Sequence, residues 1–336
     1  MGDVELIVRA DKIDEEQWKT LMEMSSVASF FQSKECYTFY DSLSFLNAFA
    51  LGVQERGLLK GVIVGYVQKD GGRLKQFFSR RAIINGGPLL ADDISDEAVK
   101  MLLEGCVSLL KNKAIYIESR NYNDYSRWKA LFQKFGFRYE PHFNFHVDTS
   151  SNELVELNLG KSRKRDIRTS LRDGASIVEN PTEEEIKELY GLLTDLYRKK
   201  VKTPLFPFVF FQKLYASDFG KFLLVRYRDS IIGGTVCVCL DGKVMYEWFA
   251  CGKDGQFKNI YPSTLATWSG ILYSANHGFK RFDMMGAGQP GDGGYGVRDF
   301  KAKFGGQLVE HGRFRYTCNR VLFFIGAMGV KLLKKR

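Results

Sequence analysis

The sequence predicts a mixed α/β protein (α+β in the wider sense) made of two similar halves, each built on a largely antiparallel sheet. Three observations predict it. The chain's 336 residues exceed what one hydrophobic core usually serves. Its 45% hydrophobic and 26% charged residues are the balance of an ordinary folded chain, which excludes disordered, collagen-like and disulfide-scaffold classes. The same succession then reads twice: two helices, a hairpin of strands, a helix, a strand, a helix or loop, and a last strand.

In the first half, a helix over Asp14–Glu23 is followed by Phe30-Phe31-Gln32-Ser33-Lys34-Glu35 leading into a second helix. Strand patterns follow at Leu58–Val67 and Leu74–Phe78, and Asn85-Gly86-Gly87-Pro88 is turn chemistry. Ser95–Leu110 reads as a helix with an acidic start, Ala114–Glu118 as a strand, Tyr125–Phe135 as a helix and Phe143–Val147 as an alternating strand. The second half opens with the basic segment Lys161–Arg172 and the short strand Ser176–Val178. A helix runs from Pro181 to about Lys200, its Glu-rich start and basic end complementing the helix dipole. Another helix at Phe208–Tyr215 precedes strands at Phe222–Tyr227, Ile231–Leu240 and Lys243–Cys251. Thr264–Ala275 is a helix, Arg281–Met285 a strand, and Gln307–Tyr316 the last strand. The polar stretch Asp148–Asn152 sets the expected boundary: a first domain of residues 1–148, a second of 149–316, and a terminal helix, 317–336, packing back on the first.

Lys and Arg number 49 against 39 Asp and Glu, a net charge of +10 that favours polyanionic partners. The six cysteines form no CxxC and have no His at zinc-ligand spacing, so buried thiols in a reducing cytoplasm are expected. His142, Asn144 and His146 share a strand face without a third metal ligand, and no metal site is expected. The start of the chain carries no apolar signal segment. Val321–Val330 is too short to span a bilayer. Continued by Lys331–Arg336, it has the composition of a helix packed on the core with a solvated tail, or of one lying peripherally on an anionic membrane surface.

Lys161, Arg165, Arg168 and Arg172 fall on one face of a helix, where arginine forks suit phosphates. Gly286–Gly291 matches GxGxxG formally, but Pro290 and the glycines beyond prolong a loop where a dinucleotide site needs a helix to open. A Gly-rich loop bordering a ligand cleft is the better reading. In Phe300-Lys301-Ala302-Lys303-Phe304-Gly305-Gly306, taken as extended, two lysines share a side and the aromatics anchor it. Such a lysine can neutralise an oxyanion or a phosphate. Walker A, HExxH and GxSxG motifs are absent.

Phe30–Ser33, Gly86-Gly87-Pro88, Lys161–Arg168, Tyr261–Trp268, Phe282–Gly286 and Phe300–Gly306 occur in that order. The series resembles the Fem aminoacyltransferases of peptidoglycan bridge formation and the wider FemAB-like acyltransferases, with Phe-Lys-x-x-Phe-Gly its most specific part. The resemblance implies two tandem GNAT-like domains of the compact type without a coiled-coil arm, and an acceptor cleft between or along them. It implies transfer of an amino acid from aminoacyl-tRNA to an amine of a nucleotide- or lipid-linked peptidoglycan precursor, without a covalent enzyme intermediate or cofactor. Gly255–Pro262 stands where a CoA-dependent domain has its pyrophosphate loop and lacks that pattern. On the resemblance, Lys301 stabilises an oxyanion or tRNA phosphate, with Lys303 as second choice and Phe300 and Phe304 beside them. Asp283 orients or deprotonates the amine, Arg165 and Arg168 contact phosphate, and Lys34 meets the acceptor diphosphate. Two other readings stay open: a FemAB-like acyltransferase of polysaccharide or envelope assembly with another donor, and a nucleic-acid-binding protein without chemistry.

Overall fold

A computed structural model describes residues 4–68, 79–291 and 296–326. Local signals start the helices where the sequence places them. Asp14 caps α1 (Glu15–Met24) by accepting from the Gln17 amide at 2.8 Å, and Ser33 caps α2 (Lys34–Asp41). Ser95 caps α3 (Asp96–Leu110), and α4 (Lys129–Lys134) follows. After α5 (Asn152–Asn158) and the basic α6 (Lys161–Arg172), a Thr182/Glu185 capping box opens α7 (Glu183–Leu196). That helix ends in one π-helical turn, Tyr197–Val201, and α8 (Phe208–Tyr215) follows. Pro at the first turn suits the start of α9 (Pro262–Asn276), and α10 spans Gly296–Ala302.

The chain divides into two compact units, residues 1–141 with 311–336, and residues 142–310. The first unit's strands are β1 (Val4–Ile7), β2 (Leu46–Glu55), β3 (Leu58–Gln68), β4 (Arg81–Gly86), β5 (Leu89–Leu90), β6 (Tyr116–Asn121) and β7 (Arg138–Glu140). The second unit holds β8 (Phe143–Asp148), β9 (Ala175–Val178), β10 (Gly220–Tyr227), β11 (Ser230–Leu240), β12 (Val244–Gly252), β13 (Arg281–Gly286) and β14 (Gln307–Glu310). The last strand, β15 (Arg313–Thr317), returns to the first. The first sheet runs β1-β2-β3-β4-β6-β15-β7 with β5 on β3, and the second β14-β8-β13-β12-β11-β10-β9. Both are antiparallel except at β4/β6 and β12/β13. This is a mixed α/β fold of two sheets resembling tandem GNAT-like domains.

Differences from the sequence reading have physical causes. The first hairpin is β2–β3, closed by Arg56 and Gly57 with φ of 52° and 77°, the left-handed pair that two-residue hairpins need. Its first strand lacks alternation because α2 and α3 both pack on it, so its apolar run carries no period of two. The segment Leu74–Phe78, read as a strand, lies outside the described residues. Strand β8 precedes the expected 148/149 boundary yet pairs with β13 and β14. The single expected strand Gln307–Tyr316 is two, broken at Gly312 with φ 64°, and its halves join different sheets. Residues 320–326 of the terminal helix are helical, and Phe323 meets Tyr116 edge-on at 5.6 Å.

Candidate active site

In the second unit β12 and β13 pair only from Val244–Tyr246 to Arg281–Asp283. Beyond that point β12 stays with β11 as far as Gly252, while β13 continues to Gly286 along β8. The sheet forks there. The β13 side of the fork is irregular: its register on β8 shifts between Asp283 and Gly286, and Met285 takes a left-handed φ of 55°. Left-handed backbone at a non-glycine residue is strained and marks functional segments often enough to direct attention here. A fork frees main-chain donors and acceptors along two strand edges, which an extended substrate can use.

Lys301 closes the apex. The segment Phe300–Lys303, read as extended, is instead the last turn of α10 and its exit. Its two lysines therefore part company: Lys301 is buried at 9% exposure and Lys303 is exposed. The Lys301 ammonium donates to the Met284 carbonyl and, at 2.9 Å, to that of Gly286. Burial pushes this ammonium's pKa down, and the nearby Glu247 and Asp283 carboxyls partly restore it. Glu247 of β12 accepts from Thr267 Oγ1 at 2.9 Å, and its burial raises its pKa.

Asp283 is fully buried. Oδ1 takes the Met285 amide at 2.7 Å, and Oδ2 lies 3.2 Å from Nε2 of His146 on β8. Burial alone would raise its pKa. His146, Arg281 and the Met285 amide outweigh burial and hold the carboxyl below its ordinary range. The Asp283 carboxyl, expected to orient or deprotonate the amine, thus has His146 against it. Two residues away on the same strand face, Asn144 is 3% exposed and its Nδ2 has no hydrogen-bond partner. Among the described residues, no group of three His, Cys, Asp or Glu could hold a metal ion.

The basic helix and the Phe-Lys-x-x-Phe segment come together. The Gly160 amide, at the start of α6, donates to the Lys303 carbonyl at 3.0 Å, and Arg163 lies over the rings of Phe300 and Phe304 at 4.5 and 5.2 Å. Phe304 is a core residue, and Phe300 is half-buried against it. Arg165 and Arg168 are exposed on the outer face of α6, as expected, and the Arg165 guanidinium is held by buried Asp166 at 2.9 Å. Arg163 escaped the sequence reading because a position two residues from Lys161 and from Arg165 falls on another side of the helix. His146 escaped because nothing local ties it to a strand more than a hundred residues away.

A CoA pyrophosphate does not fit the start of α9. The Ser263 amide in its first turn donates to Asp254 Oδ1 at 3.0 Å, and the preceding Tyr261 amide donates to Ser170 Oγ at 3.0 Å. Protein groups occupy those donors, and a carboxylate stands where the anion would sit.

In the first unit, the Gln32 and Gly-Gly-Pro segments form one buried knot. Gln32 Nε2 donates to the carbonyls of Gly86 and Gly87 at 3.1 and 3.0 Å and to the Tyr125 hydroxyl at 2.9 Å, while Oε1 accepts from the Ser29 amide. Tyr125 in turn donates to Pro88 O at 2.6 Å. Lys34 is half-buried, 5.8 Å above the Trp18 ring and 3.9 Å from Glu15.

Compared with known proteins, residues 221–328 match the model of the FemAB family. Among solved structures, FemX shares the fold with a TM-score of 0.71 at 14% identity, covering 96% of this chain and 99% of that one. A tandem GNAT protein from the clavulanic acid biosynthesis pathway gives 0.61 at 10% identity, covering 94% and 99%. L-PGS from Bacillus licheniformis gives 0.55 at 15% identity, covering 96% and 97%. No curated protein matches the chain by sequence.

Proposed function

We propose that this chain, carrying the FemAB family pattern over residues 221–328 and the fold of FemX, is an aminoacyltransferase. It moves an amino acid from aminoacyl-tRNA directly to an amine of a peptidoglycan precursor. One observation carries the reading: the family match spans Glu247, Thr267, Asp283–Gly286 and Phe300–Phe304, which are the parts of the fork and its lysine plug. Attack of an amine on an ester places negative charge on the carbonyl oxygen, and a buried ammonium at the fork apex favours that charge. Lys301 supplies it while holding the broken end of β13 in place. The outer face of α6, with Arg165 and Arg168, meets tRNA phosphates, and Lys303 adds a nearby cation. Lys34 remains the candidate for the acceptor diphosphate. The occupied start of α9 favours an ester donor over an acyl-CoA.

No described helix is long and apolar enough to cross a membrane. The described part of the terminal helix exposes Val321, Phe324 and Ile325, and a basic sequence follows, which suits peripheral contact with an anionic membrane bearing a lipid-linked acceptor. The test is a donor panel. Charged tRNAs and acyl-CoA thioesters are offered with nucleotide-linked and lipid-linked precursors, and the amide product is followed by mass spectrometry. Transfer from charged tRNA to precursor is expected. Transfer from thioesters alone would favour envelope assembly with another donor, and salt-dependent tRNA binding without transfer would favour a binding protein.

A further inference from the structure

Tyr261 stands exposed in the most cationic part of the second unit. It is 36% exposed, whereas Ile260 before it and Pro262 after it are buried. The loop that presents it, residues 253–261, is pinned at several points. Phe257 meets Tyr227 edge-on with ring centres 5.3 Å apart. Asn259, with a left-handed φ of 62°, donates from Nδ2 to Asp173 Oδ2 at 3.1 Å, and the Tyr261 amide donates to Ser170 Oγ at 3.0 Å. Those two bonds join the loop to α6, so loop and helix form one surface. Lys161, Arg165, Arg168, Arg172 and Lys258 are exposed on it. The carboxylates of the two elements are already engaged. Asp166 is buried, Asp173 meets Arg172 at 2.8 Å as well as Asn259, and Asp254 accepts from the Ser263 amide. Cations outnumber anions here, and the surface suits a polyanion.

Resting on the transfer reading above, we propose that Tyr261 stacks an unpaired base in the single-stranded 3′ end of the donor RNA, with Arg165 and Arg168, one helical turn apart, on the adjoining phosphates. Asp166 and then the Tyr261 phenol favour the charged Arg165 guanidinium, which sets ring and cation side by side. An exposed ring with a fixed backbone, next to arginines, is the combination that holds single strands: the ring takes a base face and the guanidinium takes phosphate. A duplex keeps its base faces stacked and offers the ring nothing.

The place suits the chemistry. β12 leaves β13 beyond Tyr246 and runs to Gly252. A Cβ added at Gly252 would lie 2.4 Å from the Ser263 amide nitrogen and 2.8 Å from the Pro262 carbonyl carbon. The β12 limb of the fork therefore ends against the first turn of α9, next to Tyr261. From Tyr246 to Gly252 is about 20 Å of extended strand. With the ester at the fork apex, the base at Tyr261 belongs to a nucleotide before the ester-bearing one.

The test measures RNA binding by the full chain and does not depend on transfer. The probe is a fluorescently labelled single-stranded RNA with the sequence of a tRNA 3′ end. It is compared with the same sequence in a duplex, and with single strands made abasic at one position at a time. Wild type is expected to bind the single strand more tightly than the duplex. Y261A weakens single-strand binding about 5–150-fold, and Y261F restores it. The salt slope of Y261A stays that of wild type, which shows the cationic surface still folded, whereas R165Q and R168Q each lower it by about 0.7. One abasic position weakens binding to wild type and not to Y261A, which pairs that base with the ring. If Y261A binds the single strand as wild type does, or if no abasic position separates the two, the inference is overturned while the transfer reading stands. Equal affinity of wild type for duplex and single strand overturns it likewise. A chain that shows Tyr261-dependent binding but transfers from no charged tRNA overturns the transfer reading and leaves the stacking site in place.

Discussion

Replacing Lys301 by Met tests whether the fork depends on its ammonium. Lys301 is 9% exposed, so the substitution fills similar volume while removing the charge and its hydrogen bonds to Met284 and Gly286. Hydrogen bonds from a charged donor are worth about 1.5–3 kcal/mol each, so two amount to roughly 3–6 kcal/mol. Relief of the buried ammonium's desolvation offsets part of this, whereas Glu247 and Asp283 lose the cation between them. The net lies at about 3–5 kcal/mol, as for removing one partner of a buried charged pair. At about 2–4 °C per kcal/mol for a unit of this size, the melting transition of the second unit falls by roughly 6–20 °C. Differential scanning calorimetry of wild type and K301M measures it, with K301A expected to lose at least as much. An unshifted transition would refute the plug, and Lys301 would then have to be a catalytic cation alone.

The remaining predictions concern both units. Gln32→Leu removes an amide that shares its two hydrogens among three acceptors and accepts one more bond in a fully buried place, and should cost about 3 kcal/mol by urea denaturation; an unchanged midpoint would contradict the knot. Glu118 is buried, which raises its pKa, but Arg120, Arg313 and Arg315 outweigh burial and hold it well below the usual carboxylate range. Its folded pKa being depressed, the stability it adds is present above the unfolded value of 4.5 and is lost as pH falls below it. Melting temperature should therefore drop between pH 5 and pH 3 less steeply in E118Q than in wild type; parallel curves would rule this out. Five cysteines are buried, with Cys239 and Cys251 pushed up to about 12, and half-buried Cys318 pushed up to about 11. A thiol reagent at neutral pH should label at most Cys318 in the native chain and all six cysteines after unfolding.

Signals that act over one or two turns were legible in the sequence. The helix starts near Ser95 and Pro181, the cationic outer face of Lys161–Arg172, and the poor match of Gly286–Gly291 to a dinucleotide loop depend only on neighbours a few residues away. The order of motifs also pointed to the two-sheet fold that FemX shares. Part of the candidate site's neighbourhood was legible; its contacts were not. Phe300, Lys301, Phe304 and Asp283 do gather around one place, but periodicity could not say that Lys301 turns inward while Lys303 turns out.

Sequence alone therefore determined most of the longer helices, the charge of the outer face of α6 and the doubled α/β plan, because each follows from short-range sterics and patterning. Tertiary structure decided that β8 and β15 join the sheets of the other half, that β12 and β13 part beyond Tyr246 and Asp283, and that His146 meets Asp283. Strand pairing joins segments far apart in the chain, and one such pairing fixes which buried charges face each other.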